Sequence, residues 1–280
     1  MNSRKITRTS IASFAQQLRE EERSCRTIEK YTRELRQFAA FLAGQPVTKS
    51  AASAWKQWLQ QKYAPATVNG KLAALDRFLA FMGWEEGRVK HLRLQRRLFR
   101  EASRELSRAE YDRLLQAAQR QGKERLALLM ETICATGIRV SEVHDITMEA
   151  VWAGKAEIAL KGKVRTILLP GKLCRKLRKY AKKQKIASGE LFLTRSGKPI
   201  SRKQIWAEMK AICRAAGVEA SKVFPHNLRH LFARCFYRAC RDVARLADVL
   251  GHSSIETTRI YLVSTGTEHA EILNRLRLIS

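Results

Sequence analysis

Apolar residues recur at helical spacing along most of the chain. Between Thr27 and Leu42, Ile28, Tyr31, Leu35, Phe38 and Leu42 fall on one face, while Arg26, Lys30, Arg33 and Arg36 fall largely elsewhere. From Thr67 to Met82 the pattern returns, with Val68, Leu72, Leu75, Leu79 and Met82 facing inward and Lys71 and Arg77 outward. Residues 8–23 and 50–62 are shorter helical candidates. Together these segments predict a four-helix N-terminal unit over residues 1–90. A dense basic stretch follows, with Arg88, Lys90, Arg93, Arg96, Arg97, Arg100 and Arg104 and little periodicity. Residues 91–104 are therefore read as a linker able to follow a phosphate backbone. Ser107-x-x-Glu110 has the spacing of a capping box, which opens a second unit over residues 105–280.

The helical period fails between 151 and 170. Val151 to Leu160 and Val164 to Leu169 alternate apolar and polar residues imperfectly around Lys161-Gly162-Lys163, which predicts a short β-hairpin with a basic tip. Leu191-Phe192-Leu193 adds a candidate third strand. Helices are expected again over about 201–216, 227–240, 242–250 and 254–262. The expected fold class is mainly α: a helical N-terminal domain and an α-rich second domain bearing a small antiparallel sheet.

Charge narrows the partner. The 280 residues carry a formal net charge of +28. Residues 1–100 hold 20 Lys and Arg against 8 Asp and Glu, and the remainder holds 34 against 18, so both halves suit a polyanion. Nucleic acid is the usual one; an ordinary basic surface is the plainer reading. No apolar run approaches the length of a membrane span, and the N-terminus leads into no signal-peptide core. The six cysteines show no CxxC spacing and mostly sit among apolar residues, which suggests buried free thiols in a reducing cytoplasm and no zinc site.

The chemistry concentrates in two stretches. Ala135-Thr136-Gly137-Ile138-Arg139-Val140-Ser141-Glu142 supplies one arginine. His226-x-Leu228-Arg229-His230, then Leu250-Gly251-His252, then Tyr261 supply the rest. Phosphoryl transfer needs a nucleophile, charge at the nonbridging oxygens and a proton for the leaving oxygen. Two arginines suit the second task, because a guanidinium stays charged and presents a planar fork to phosphate. A phenol is a weak nucleophile at neutral pH, and a cationic cluster lowers the cost of its ionisation.

In these motifs and their order the chain resembles the tyrosine recombinases, or phage-type integrases. The likeness is strong from about residue 105 to 262 and weaker before that. It implies a site-specific recombinase that cuts and rejoins double-stranded DNA through a 3′-phosphotyrosine and a four-way junction, with no metal or other cofactor. It implies Arg139, Lys161, His226, Arg229, His252 and Tyr261 as the catalytic set, with Glu142 and His230 behind them. Glu142 is expected on the same helix face as Arg139, three residues away. The family's usual hairpin reads roughly Gly-Lys-Gly-x-Lys-x-Arg; here Leu160-Lys161-Gly162-Lys163-Val164-Arg165 is shorter. The alignment favours Lys161 over Lys163 as general acid and leaves Lys163 for a backbone phosphate. Lys30, Arg33, Lys71, Arg77, Arg96 and Arg97 are further candidate DNA contacts. The likeness also implies a homotetramer on inverted-repeat core sites in the cytoplasm, accessory proteins as an option, and no membrane. The tail, with Ala270, Leu273, Leu276 and Ile279, is expected to dock on a neighbouring protomer or on its own domain. No separate arm-binding domain is expected ahead of the N-terminal helical unit. The rival readings are a type IB topoisomerase, a telomere-resolving enzyme, and a DNA-binding accessory protein with an inactive site.

Overall fold

The computed structural model describes residues 4–94, 104–160, 163–261 and 274–276. Arg96, Arg97, Lys161 and nearly all of the tail lie outside these, as does the side chain of Lys163. The chain forms two compact units, residues 1–96 and 97–280. Among the described residues, no helix is long and apolar enough to cross a membrane.

The first unit is built from α1 (Arg8–Glu20), α2 (Cys25–Leu42), α3 (Lys49–Lys62) and α4 (Pro65–Phe81). Local chemistry sets their starts. Thr7 and Ser10 form a capping box before α1, Ser24 and Thr48 accept from backbone N–H groups of α2 and α3, and Pro65 occupies the first turn of α4. Ile28, Leu35, Phe38 and Leu42 are buried on α2, as are Val68, Leu72, Leu75 and Leu79 on α4, so the apolar stripes read from the sequence are the core. Phe38 packs on Trp55 with ring centroids 4.8 Å apart.

One residue departs from the expected pattern. Lys71 is buried, not outward. Its ammonium donates to Glu34 and, at 2.6 Å, to Gln37 Oε1, and it lies 4.7 Å from the Tyr63 ring centroid. The cause is Glu34, which faces inward on α2 and is almost fully buried. A buried carboxylate needs a cation, and α4 supplies it. Burial alone would raise the Glu34 carboxyl, but hydrogen bonds from Lys71 and Arg33 outweigh it and hold the group below its ordinary value. Lys71 is thus an internal counter-ion and leaves the set of candidate DNA contacts. Lys30, Arg33 and Arg77 are exposed, Arg77 paired with Glu21 at 2.5 Å.

The second unit begins at the expected capping box, where the Ser107 and Glu110 side chains satisfy each other's backbone N–H. It continues through α5 (Arg108–Arg120) and α6 (Glu124–Thr136). Leu126, Ala127, Leu128, Leu129 and Met130 are all buried, so α6 is covered on most sides and forms the centre of the unit. Residues 151–153, expected as strand, instead end α7 (Met148–Ala153). Thr147 caps that helix, and left-handed Gly154 turns it into the sheet. β1 (Lys155–Leu160) and β2 (Lys163–Leu168) pair antiparallel from Lys155↔Leu168 to Leu160↔Lys163. Along β2, Ile167 is buried and Arg165 partly buried, while Val164 and Leu168 are exposed.

After α8 (Gly171–Gln184), Leu191-Phe192-Leu193 forms no strand; Leu193 makes an isolated bridge with Pro199. Leu191 and Phe192 are both buried, so the apolar run reflects packing on two sides rather than a ladder. The helix expected over 201–216 breaks at Ile212 into α9 (Arg202–Ala211) and α10 (Cys213–Ala216). Then come α11 (Pro225–Cys240), α12 (Val243–Leu250) and α13 (Ile255–Arg259). The expectation of buried free thiols holds for Cys174 and Cys213; Cys134 and Cys240 are half-buried, and Cys25 and Cys235 are exposed.

Candidate active site

α6 ends at Gly137 with φ +67°, a conformation that favours glycine. A Cβ there would also lie 2.6 Å from Phe232 Cε1 and 3.1 Å from Leu250 Cδ2. The missing side chain therefore lets α11 and α12 close on this turn. The chain leaves it extended, and Arg139 caps a six-residue 3₁₀ segment, Val140–Asp145. Arg139 and Glu142 were expected on one α-helical face. The tighter segment instead brings Glu142 back onto the cap: its Oε2 accepts from the Arg139 backbone N–H and its Oε1 from Arg139 Nη1, both at 2.8 Å. Glu142 is buried, and the Arg139 side chain is partly open to solvent.

α11 carries the second arginine. Pro225 fixes its first turn, and His226, Arg229 and His230 follow at spacings of three and four, which places them on one side. Arg229 is 2% exposed. It donates to Gly137 O, to Leu250 O at 2.9 Å and to His252 Nε2 at 2.9 Å. Burial pushes its guanidinium below its ordinary value, repulsion from Arg139 adds to this, and a hydrogen bond with Tyr261 opposes it.

Gly251, with φ +64°, ends α12 and turns His252 back over the helix. The contact with Arg229 fixes the tautomer of this histidine. A guanidinium only donates, so Nε2 accepts, and the proton sits on Nδ1, 2.9 Å from Thr258 Oγ1. His252 is therefore neutral. Burial, then Arg229, Arg139, Arg165 and His226, depress its pKa to about 4.

Tyr261 follows α13 and is 5% exposed. Its ring stacks on His252 at 5.6 Å and 13°, meets His230 edge-on at 4.5 Å, and lies 6.1 Å from His226. Ala233, Leu246 and Leu250 form the apolar floor beneath it. A weak nucleophile, a buried guanidinium and three imidazoles thus converge within one pocket of side chains. That inventory suits attack on phosphorus with charge stabilisation at its oxygens.

A model of the phage integrase family matches residues 104–268, more than half of the chain, and a model of the phage integrase N-terminal SAM-like domain matches residues 11–86. The chain belongs to the phage integrase family. Among the tyrosine recombinases it is similar to XerA of Pyrococcus furiosus, 27% identical over 100% of this chain and 98% of that protein. It is similar to XerC of Roseiflexus castenholzii, 30% identical over 93% of this chain and 91% of that one. The fold is shared with XerH recombinase bound to its difH substrate, at TM-score 0.68 and 18% identity over 97% of this chain and 90% of that one. It is shared with a lambda integrase tetramer bound to a Holliday junction, at TM-score 0.72 and 18% identity over 93% and 78%.

For this tyrosine recombinase, the structure brings five of the six expected catalytic positions together, Arg139, His226, Arg229, His252 and Tyr261, with Glu142 and His230 beside them. Lys161 lies outside the described residues. Two participants were given no role in the sequence reading, although Arg165 ends the hairpin segment compared there. Thr258, fully buried, holds His252 by its ring Nδ1. Arg165 reaches Glu142 Oε2 at 2.6 Å and also donates to Leu250 O. Strand parity was the available signal for Arg165: it shares a face with buried Ile167, and a charge at a core-facing strand position needs a partner.

Proposed function

We propose that this recombinase cleaves DNA by attack of the Tyr261 phenol oxygen on a phosphodiester. The P–O5′ bond breaks as the P–O bond to tyrosine forms, which leaves a 3′-phosphotyrosine and a free 5′-hydroxyl. Arg139 and Arg229 hold the nonbridging oxygens. The phenolic proton passes into the surrounding imidazole cluster, and Lys161 protonates the 5′-oxygen. Lys163 then binds a backbone phosphate. A 5′-hydroxyl from the partner duplex reverses the step and expels Tyr261. The ester bond energy is conserved, so neither ATP nor a metal is needed. The placement of Tyr261 against Arg229 and three histidines supports this reading most directly.

Residues 1–90 serve in this proposal as the core DNA-binding domain, 91–104 as a basic linker and 105–280 as the catalytic domain. Lys30, Arg33, Arg77, Arg96 and Arg97 contribute phosphate contacts. Four protomers act on two inverted-repeat sites and pass through a Holliday junction. The test is to recover the DNA that the protein traps covalently, then incubate two duplexes bearing that site. Junctions and exchanged products are expected. Relaxation of supercoils without any junction would replace this reading with a topoisomerase.

A further inference from the structure

Resting on that reading of the site, we infer that Arg165 is a positioning residue for the cleavage step, setting Arg139 and His252 from behind through two hydrogen bonds. It sits on β2, in neither of the two motifs that supply the arginines and histidines. One arm of its guanidinium holds Glu142 Oε2 at 2.6 Å, and the other donates to Leu250 O.

Glu142 is the first relay. Its carboxylate lies between two guanidiniums, with Oε1 on Arg139 Nη1 and Oε2 on both Arg165 and the Arg139 backbone. Arg165 adds a charged donor to Oε2 beside the Arg139 backbone N–H, which stiffens the carboxylate that holds the Arg139 guanidinium and offsets the cost of burying it. The Leu250 carbonyl is the second relay. It accepts from both Arg165 and Arg229, and the next two residues are Gly251 and His252. Arg165 also packs so tightly on the turn that a Cβ on Gly251 would lie 2.7 Å from its Nη1 and 2.9 Å from its Nε. The glycine is thus required twice, by its φ and by the arginine above it. The Arg165 side chain is 15% exposed, so it is mostly spent on these contacts and acts through its neighbours.

The geometry also explains why lysine is a poor replacement. An ammonium can bond Glu142 or Leu250 as a point charge, but it lacks the planar fork that spans both. Arg165→Lys should therefore lie between wild type and Arg165→Met, which keeps the apolar stem over Gly251 and loses both bonds.

The experiment is single-turnover cleavage by the full chain on a nicked site that traps the covalent adduct, with half-site affinity and thermal unfolding measured in parallel. Arg165→Met is expected to cleave at least tenfold more slowly, with half-site affinity within about twofold of wild type, and Arg165→Lys to recover part of the rate. A second substrate carries sulfur at the 5′-bridging position, so that its leaving group needs no proton. It should not rescue Arg165→Met, because the loss lies at the phosphate oxygens. Wild-type cleavage rates in both variants would overturn the inference. So would rescue by sulfur, which would place the effect at the hairpin tip, or equal losses of affinity and rate that follow thermal destabilisation. If wild type itself forms no adduct, the functional reading has failed; an adduct in wild type with an unaffected Arg165→Met removes only this inference.

Discussion

Protonation of His252 should destabilise the folded chain. Its Nε2 accepts from Arg229 at 2.9 Å, so a proton added there has no acceptor and meets a guanidinium. Burial is the largest cause of its depressed pKa, and Arg229, Arg139, Arg165 and His226 add to it, bringing it to about 4 from 6.5. The unfolded chain therefore binds this proton below about pH 6.5 and the folded chain only below about 4. Between those limits the unfolded state carries the extra proton. Stability from this residue is complete above about pH 6.5 and falls as the solution is acidified towards 4. The gap corresponds to at most about 3.5 kcal/mol, since each tenfold step in acidity is worth about 1.4 kcal/mol, and solvent screening of the partly exposed ring lowers it. The perturbation is His252→Gln, whose amide oxygen can still accept from Arg229 but does not titrate. Urea unfolding of both proteins from about pH 7 to 4.5 isolates the histidine, because other titrating groups cancel in the difference. Wild type should lose about 2 kcal/mol more than the variant over that range. Parallel curves, or a His252 ring resonance titrating near 6.5, would refute the reasoning. A short DNA duplex should move that resonance upward, since a phosphate between the arginines offsets their repulsion.

Three further outcomes follow from the same contacts. Gly137→Ala combines a left-handed φ with overlap on Phe232 and should cost about 2 kcal/mol or more in urea unfolding; adding Phe232→Ala should make the two effects non-additive. Lys71→Ala should cost about 1–3 kcal/mol by leaving buried Glu34 paired only with the exposed Arg33, whereas replacing Glu34 and Lys71 together by leucine and methionine should restore most of it, as read from the unfolding midpoint. Sulfur at the 5′-bridging position should rescue Lys161→Ala in a cleavage assay; rescue of Lys163→Ala instead would move the general acid by two residues.

Much of this architecture is legible in the sequence, and the exceptions share a cause. The stripes on α2 and α4 were plain because burial on one face leaves a helical period. Lys71 broke the rule because a single inward carboxylate, Glu34, recruited it, and sequence spacing does not show which charges meet across two helices. Val151 to Ala153 looked like strand until Gly154 was seen to end a helix there. The site behaved alike. Arg139, Arg229, His252 and Tyr261 announce themselves in short motifs. Arg165 matters through long-range contacts to Leu250 and Glu142, and Thr258 through a side-chain contact to the His252 ring six residues back. Only the tertiary fold brings Arg165 to its partners, and only the turn at Gly251 points the ring at Thr258.

The central claim is that Tyr261 attacks the phosphodiester. It is tested most directly by incubating the full chain with a nicked duplex carrying its site, digesting the trapped adduct and locating the nucleotide-bearing peptide by mass spectrometry. Wild type should yield DNA joined through a 3′-phosphate to Tyr261, and Tyr261→Phe should bind the same duplex without forming any adduct. An adduct on another residue, or one that survives in Tyr261→Phe, would contradict the account.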